Sequence, residues 1–318
     1  MIIFIEKMKS KLMRYFIYSR LKFLFLLSIL FIPNNSLRKF EVHLSEIKLV
    51  IQGIGTSSFL NQDFKITPSV VIINNETKAP GIKSYNFNKN VNYVIIKFND
   101  QIVSCENMFK GLPNIIEIDL SNFDASKVVS MSSMFYNCSN LEKINFGNIN
   151  TSSVKSMFSL FQNCTKLTSI DLSKFDTSSV TDMGEMFRYC QSLTSIDASN
   201  FNTHNVENMF DMFGYCLKLI TVNVSNFKTS KVKNMQGIFY HCYELKYLDL
   251  SSFDFSSENN KQYFVRYDRS LIYIKLNSFP IKNGEDEGKI KEMFELTPSN
   301  LKICINNEDD KKKIINNK

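Results

Sequence analysis

The hydrophobic positions in the central part of the chain repeat every 26 residues. One column of phenylalanines keeps this spacing without insertion or deletion: Phe109, Phe135, Phe161, Phe187, Phe213 and Phe239. Columns of Cys, Val and Met follow the same step, from Cys138 to Cys242, Val128 to Val232 and Met131 to Met235. A fixed period held by several independent positions is typical of a solenoid built from stacked repeats.

Each repeat divides into two segments with different hydrophobic spacing. The first reads Leu-x-x-Ile-x-Leu, as in 167–172, and its final alternation predicts a short strand with one buried face. The second reads Val-x-x-Met-x-x-Met-Phe-x-x-Cys, as in 180–190. Its apolar residues at i, i+3, i+6, i+7 and i+10 predict a short helix, which Ser178 and Ser179 would cap.

The predicted fold class is therefore an α/β repeat. It is a leucine-rich-repeat solenoid with a parallel strand sheet on one face and short helices on the other. We place the solenoid at 101–280, with seven strands in register from Ile115 to Leu276. A small β-rich N-terminal cap is predicted for 37–100, and a C-terminal cap with a disordered charged tail for 281–318.

The repeat consensus resembles that of a known family. The run from Leu167 to Met183, followed by Met186-Phe-Arg-Tyr-Cys190, is similar to the BspA-like leucine-rich repeats, a 26-residue surface-protein repeat. The resemblance covers Cys105 to Phe279. It implies a secreted or surface-exposed protein with adhesive or host-binding roles, and it brings no catalytic residues. The chain departs from such proteins in showing no lipobox, wall-sorting signal or terminal membrane span.

The net charge is concentrated at the N-terminus. Of a formal charge of +7, residues 1–36 hold six basic side chains and one acidic one, so the remainder is close to neutral and argues against nucleic-acid binding. The apolar run Phe23 to Ile32 follows the basic segment and is too short to span a bilayer. We predict that residues 1–36 are a signal peptide or signal anchor.

The cysteine column is the most conspicuous candidate for chemistry. Disulfides or a metal site are one interpretation, but stacked identical positions point their side chains in parallel, and no Cys-x-x-Cys pair exists. We favour a row of buried thiols that pack as small hydrophobes. The three histidines, His43, His204 and His241, fall on unrelated segments, so no catalytic triad, metal site or cofactor is predicted.

A row of acidic and amide residues follows the predicted strands. The middle residue of Ile-x-Leu points away from the core and lines one face. The predicted ligand-binding face comprises Glu117, Asp119, Asn145, Asp171, Asp197, Asn223, Tyr247, Asp249 and Tyr273. A solvated surface without a ligand is the simpler interpretation, and we see no accompanying row of Lys or Arg. A second regular array, from Thr151 to Thr229, is either exposed toward a sugar or ice surface or used in turns.

These features predict a non-catalytic extracellular or cell-surface module, secreted or displayed, that binds a protein or glycan through the strand face. The membrane would be contacted only through an uncleaved leader. Two alternatives stay open. One is a carbohydrate-active solenoid enzyme that uses the acidic row. The other is an intracellular leucine-rich-repeat scaffold, which would apply if the leader is not a signal.

Overall fold

A computed structural model describes residues 45–255, 260–277 and 292–305. The predicted signal at 1–36 and the charged tail beyond 305 lie outside the described residues. No helix among the described residues is long and apolar enough to cross a membrane.

The described chain contains thirteen strands, named here in chain order. Those of the N-terminal part are β1 (Ser45–Gln52), β2 (Gly55–Ser58), β3 (Val70–Ile73), β4 (Glu76–Lys78), β5 (Ser84–Phe87) and β6 (Val91–Phe98). Those of the repeats and beyond are β7 (Ile115–Asn122), β8 (Lys143–Asn145), β9 (Ser195–Asp197), β10 (Thr221–Asn223), β11 (Tyr247–Leu250), β12 (Tyr273–Leu276) and β13 (Lys302–Ile305).

The repeats form a β-solenoid of about seven coils, and the α/β prediction is wrong. The segments expected to be helices are successions of turns, and each coil contributes a second, bridge-like contact there. The residues of this contact are linked by parallel bridges one coil apart: Ser104, Ser130, Ser156, Asp182, Asn208, Asn234 and Asn260. Each coil therefore contacts its neighbour through two parallel strips, a strand strip and a bridge strip.

Backbone dihedral angles explain why no helix forms. Ser133 and Asn137 have φ values of 55° and 59°, in the left-handed region, whereas an α-helix needs negative φ at every residue. The amides of Met134 and Tyr136 bond to the carbonyl three residues back, at 3.2 and 3.1 Å. The intervening amide of Phe135 donates to Leu160 in the next coil at 3.0 Å. Two successive four-residue turns thus replace the helix.

The same hydrophobic spacing serves both conformations. In a helix, i, i+3, i+4 and i+7 share a face; in these coils, Met131, Met134, Phe135 and Cys138 are all buried. The Phe column packs inside as parallel rings, with centroids 5.4–5.8 Å apart from Phe109 to Phe239. Hydrophobic burial and regular stacking between coils stabilise the interior.

The N-terminal strands extend the solenoid's strand strip. β1 pairs antiparallel with both β6 and β7, and β8 follows β7 in parallel. The resulting six-stranded sheet has the order β4-β3-β6-β1-β7-β8. The alternating residues Ile47, Leu49 and Ile51 of β1 are buried, which leaves the other face of the sheet outward. A second sheet, ordered β13-β12-β11-β10-β9, continues the strand strip. Between the two sheets, the corresponding segment of one coil, 169–171, is not assigned as a strand.

Candidate functional site

The residues predicted to bind a ligand lie on one outward surface, which we call the strand face. Its first column contains Glu117, Lys143, Ser169, Ser195, Thr221, Tyr247 and Tyr273. Its second column, the acidic row, contains Asp119, Asn145, Asp171, Asp197, Asn223 and Asp249, followed by Lys275. Strand register places Thr221 between Ser195 and Tyr247, and Asn223 beside Asp197. The structure therefore brings the predicted residues together in two adjacent columns.

The acidic row also has a structural role that the sequence analysis missed. In each coil the side-chain Oδ1 accepts a hydrogen bond from the backbone amide two residues later, at 2.9–3.3 Å. This is an Asx turn, which both Asp and Asn can form. Asp171, for example, caps the amide of Ser173 at 2.9 Å. The row can contain both Asp and Asn, because the turn needs a side-chain oxygen and no charge.

These turns keep the carboxyl groups ionised. Hydrogen bonds from the backbone and hydroxyl of Ser173 lower the pKa of Asp171, and those from Ser199 lower the pKa of Asp197. For Asp119 and Asp249, partial burial raises the pKa, but hydrogen bonds to the following serine and a nearby lysine outweigh it. All four carboxylates therefore present a fixed negative charge at neutral pH.

Single lysines lie beside the acidic row at its two ends, although they do not form a row of their own. Lys275 lies 3.2 Å from a carboxylate oxygen of Asp249, and Lys48 on β1 lies 3.9 Å from Asp119. Asp171 and Asp197 have no ion pair among the described residues. The unpaired negative charge of the acidic row is therefore concentrated in its centre.

A groove crosses the strand face at its N-terminal end, over β6, β1, β7 and β8. We call it the cap groove; it has a volume of about 380 Å³. The outward side chains that line it are Lys48, Val50, Tyr93, Ile95, Glu117, Asp119, Lys143 and Asn145. Sequence reasoning missed Lys48, Tyr93 and Lys143. The alternation in 92–98 and the 26-residue step from Glu117 to Lys143 were the signals that could have placed them.

The cysteine column is a structural feature of the interior. The described residues contain no disulfide, and all seven thiols are free. Cys164 donates to the carbonyl of Phe135 at 3.2 Å, and each thiol from Cys138 to Cys242 repeats this contact. Burial raises the pKa of Cys138 and Cys216 to about 12. The preferred interpretation, a row of buried thiols, is confirmed.

The threonine column is likewise internal, so the idea of a sugar- or ice-facing array is wrong. Thr151, Thr177, Thr203 and Thr229 are each at most 1% exposed. The hydroxyl of Thr203 donates to the carbonyl of Lys228 at 3.0 Å and accepts from its amide at 2.6 Å. Each threonine thus joins its coil to the backbone of the next one.

The turn segments also contain an aromatic column that the sequence analysis did not predict. Tyr189, Tyr215, His241 and Tyr267 stack with centroids 4.3–4.7 Å apart. They occupy the left-handed position that Asn137 and Asn163 hold in earlier coils. The guanidinium of Arg188 lies 4.8 Å from the ring centre of Tyr189. The 26-residue step from Asn163 could have revealed this column.

Comparison with known proteins identifies the repeat region. The family model described as "Mycoplasma protein of unknown function, DUF285" matches residues 103–221 and 167–279, which together span more than half of the chain. The chain belongs to the DUF285 family. No curated protein and no solved structure matches it significantly. The DUF285 match covers all coils of the solenoid and ends before β13, so the strand face is largely a feature of the family region.

Proposed function

We propose that this DUF285 protein is an extracellular or cell-surface binding module that recognises a protein or glycan through its strand face. The observation that carries the proposal is the fixed, outward array of polar side chains. Asx turns hold each carboxylate in one orientation, so little side-chain entropy would be lost on binding. Tyr247, at 55% exposure, adds an aromatic anchor beside the acidic row.

The proposed location rests on the sequence. The similarity to BspA-like surface repeats and the basic, apolar leader of residues 1–36 support a secreted or displayed protein. The structural finding that changes this comparison is the coil itself, which is a β-solenoid rather than a helix-containing repeat. The resemblance to BspA-like proteins therefore supports only the proposed location and adhesive role. It does not apply to the conformation of the repeat.

The ionisation of the acidic row favours binding over the hydrolytic alternative. Glycoside hydrolysis with paired carboxyl groups needs one of them protonated as a general acid, which requires a raised pKa. The pKa values of Asp119, Asp171, Asp197 and Asp249 are all lowered. Four ionised carboxylates instead provide hydrogen-bond acceptors and negative charge for a ligand.

A charge-removal experiment tests the proposal. The double variant Asp171→Asn, Asp197→Asn keeps both Asx turns, because Asn145 and Asn223 form the same turn. We expect it to fold normally and to weaken binding to a captured partner by about tenfold or more, since central charge is lost. Binding is measured by surface plasmon resonance with partners from a protein and glycan array.

The matched control is Asp176→Asn. Asp176 is also exposed and caps Ser178 at 2.9 Å, but it lies outside the strand face. It should leave binding unchanged. Equal affinity of the double variant and the wild type for every partner would refute the proposal. Location is tested separately by protease shaving of intact cells, and recovery of 101–280 peptides only after lysis would contradict export.

A further inference from the structure

The cap groove has the composition of a sugar-binding site. We propose that it binds a neutral hexose unit of a glycan, with Tyr93 as the stacking platform. This inference rests on the proposed function of the strand face and specifies one ligand class at one end of it. Its volume of about 380 Å³ lies within the range of small-ligand sites.

Strand register fixes the arrangement of the groove. Val50 of β1 pairs with Tyr93 on one side and Glu117 on the other, and Glu117 pairs with Lys143. Tyr93 and Glu117 are therefore two strands apart, roughly 10 Å between backbones. The tyrosine side chain is 62% exposed. Its ring has no aromatic neighbour among the described residues, so a face is free for a ligand.

The charges of the groove balance. Lys48 and Lys143 supply two cations, and Glu117 and Asp119 supply two anions. Lys48 lies within 3.9 Å of Asp119 and 3.5 Å of Glu46, which neutralises it locally. A balanced site offers no net attraction to a charged ligand, so electrostatic complementarity selects a neutral one.

Of the other four charged or amide groups in the groove, two are fixed and two are free. The amide of Asn145 donates to Asp119 at 3.0 Å, and Asp119 also caps Ser121, so these two side chains form a rigid wall. Among the described residues, the Glu117 carboxylate and the Lys143 ammonium have no ion pair or side-chain hydrogen bond. Glu117 can accept and Lys143 can donate hydrogen bonds to a ligand.

A hexose matches this combination of groups. One face of a pyranose ring carries C–H groups, which pack on an aromatic face, and its rim carries hydroxyls that both donate and accept. Tyr93 provides the aromatic face, Glu117 the acceptor and Lys143 the donor. The three groups lie on three different strands of one sheet, so their spacing is held by backbone hydrogen bonds.

Saturation-transfer NMR and calorimetry with methyl glycosides of glucose, galactose, mannose and N-acetylglucosamine test the inference. We expect at least one to bind, and Tyr93→Ala to weaken that binding by about tenfold, as expected for loss of a stacking contact. Tyr93→Phe should retain binding within about threefold, because the ring face is kept. Glu117→Ala should weaken it by about fivefold, through loss of an acceptor.

The control variant is Tyr136→Ala, which removes a half-buried tyrosine from a turn segment, outside both the groove and the strand face. It should not change the affinity for the sugar. The inference is overturned if no neutral glycoside binds at about 10 mM, a weak affinity by protein standards. It is equally overturned if only anionic glycans bind, or if Tyr136→Ala weakens binding as much as Tyr93→Ala. If no neutral glycoside binds but partner binding still depends on Asp171 and Asp197, this inference is wrong and the proposed function is unaffected.

Discussion

Thr203 links two coils through a single buried hydroxyl, and its replacement measures what that link contributes. Thr203→Val keeps the shape of the side chain and removes the hydroxyl that bonds both the amide and the carbonyl of Lys228. Each hydrogen bond contributes about 0.5–1.5 kcal/mol net, so the loss should be about 1–3 kcal/mol. Thr203→Ser keeps both bonds and removes one buried methyl group, which should cost about 0.8 kcal/mol.

Urea unfolding followed by far-UV circular dichroism and tyrosine fluorescence gives the two free energies, since the chain has no tryptophan. The expected order of stability is wild type, then Thr203→Ser, then Thr203→Val. Adding the same substitution at Thr177 should widen the gap, because its hydroxyl makes the equivalent pair of bonds to Asn202. If the serine variant is as unstable as the valine variant, packing and not the hydroxyl holds the coils together at this column.

Three further perturbations probe the interior. In the native protein only Cys304 should react with Ellman's reagent, because the other six thiols are buried, and all seven should react in urea. Gly237→Ala should destabilise the protein by more than about 1 kcal/mol, because a Cβ there would overlap the Asp211 carboxylate and Gly237 has a φ of +65°. Asp211→Gly should partly rescue this variant. Burial raises the pKa of Asp268 far above its usual range, so the folded state binds more protons and stability falls as pH rises above about 4. Asp268→Asn should flatten the dependence of the urea midpoint between pH 4.5 and 7.5, and an unchanged slope would contradict this.

The sequence predicted the repeat, its register and its buried columns, but not the conformation of half of each coil. The columns are visible because the same side chain meets the same neighbours in every coil, as Phe161 does between Phe135 and Phe187. Helix and double turn bury the same positions, so periodicity could not separate them. The deciding residues were those with positive φ, such as Ser133 and Glu185, whose side chains carry little sign of that conformation.

The candidate site was predictable in its outward columns and not in its groove. Strand alternation placed Asp171 and Tyr247 outward correctly. The cap groove depends on β1 and β6 joining β7, a pairing between segments of different hydrophobic spacing that no period reveals. The Asx turns were also not predicted, because an exposed Asp on a strand has the same sequence signature whether it caps a turn or binds a ligand.

Because the repeats share one length of 26 residues, the length of the strand face depends on the number of repeats. Recombination between neighbouring central repeats, such as those that contain Phe161 and Phe187, adds or removes one whole unit and preserves the Phe, Cys and Thr contacts, because the new coil meets the same side chains above and below. Each added unit lengthens the face by about 4.8 Å and supplies one more carboxylate or amide. A protein of this kind can therefore gain or lose recognition surface one repeat at a time, while the contacts of its core stay the same.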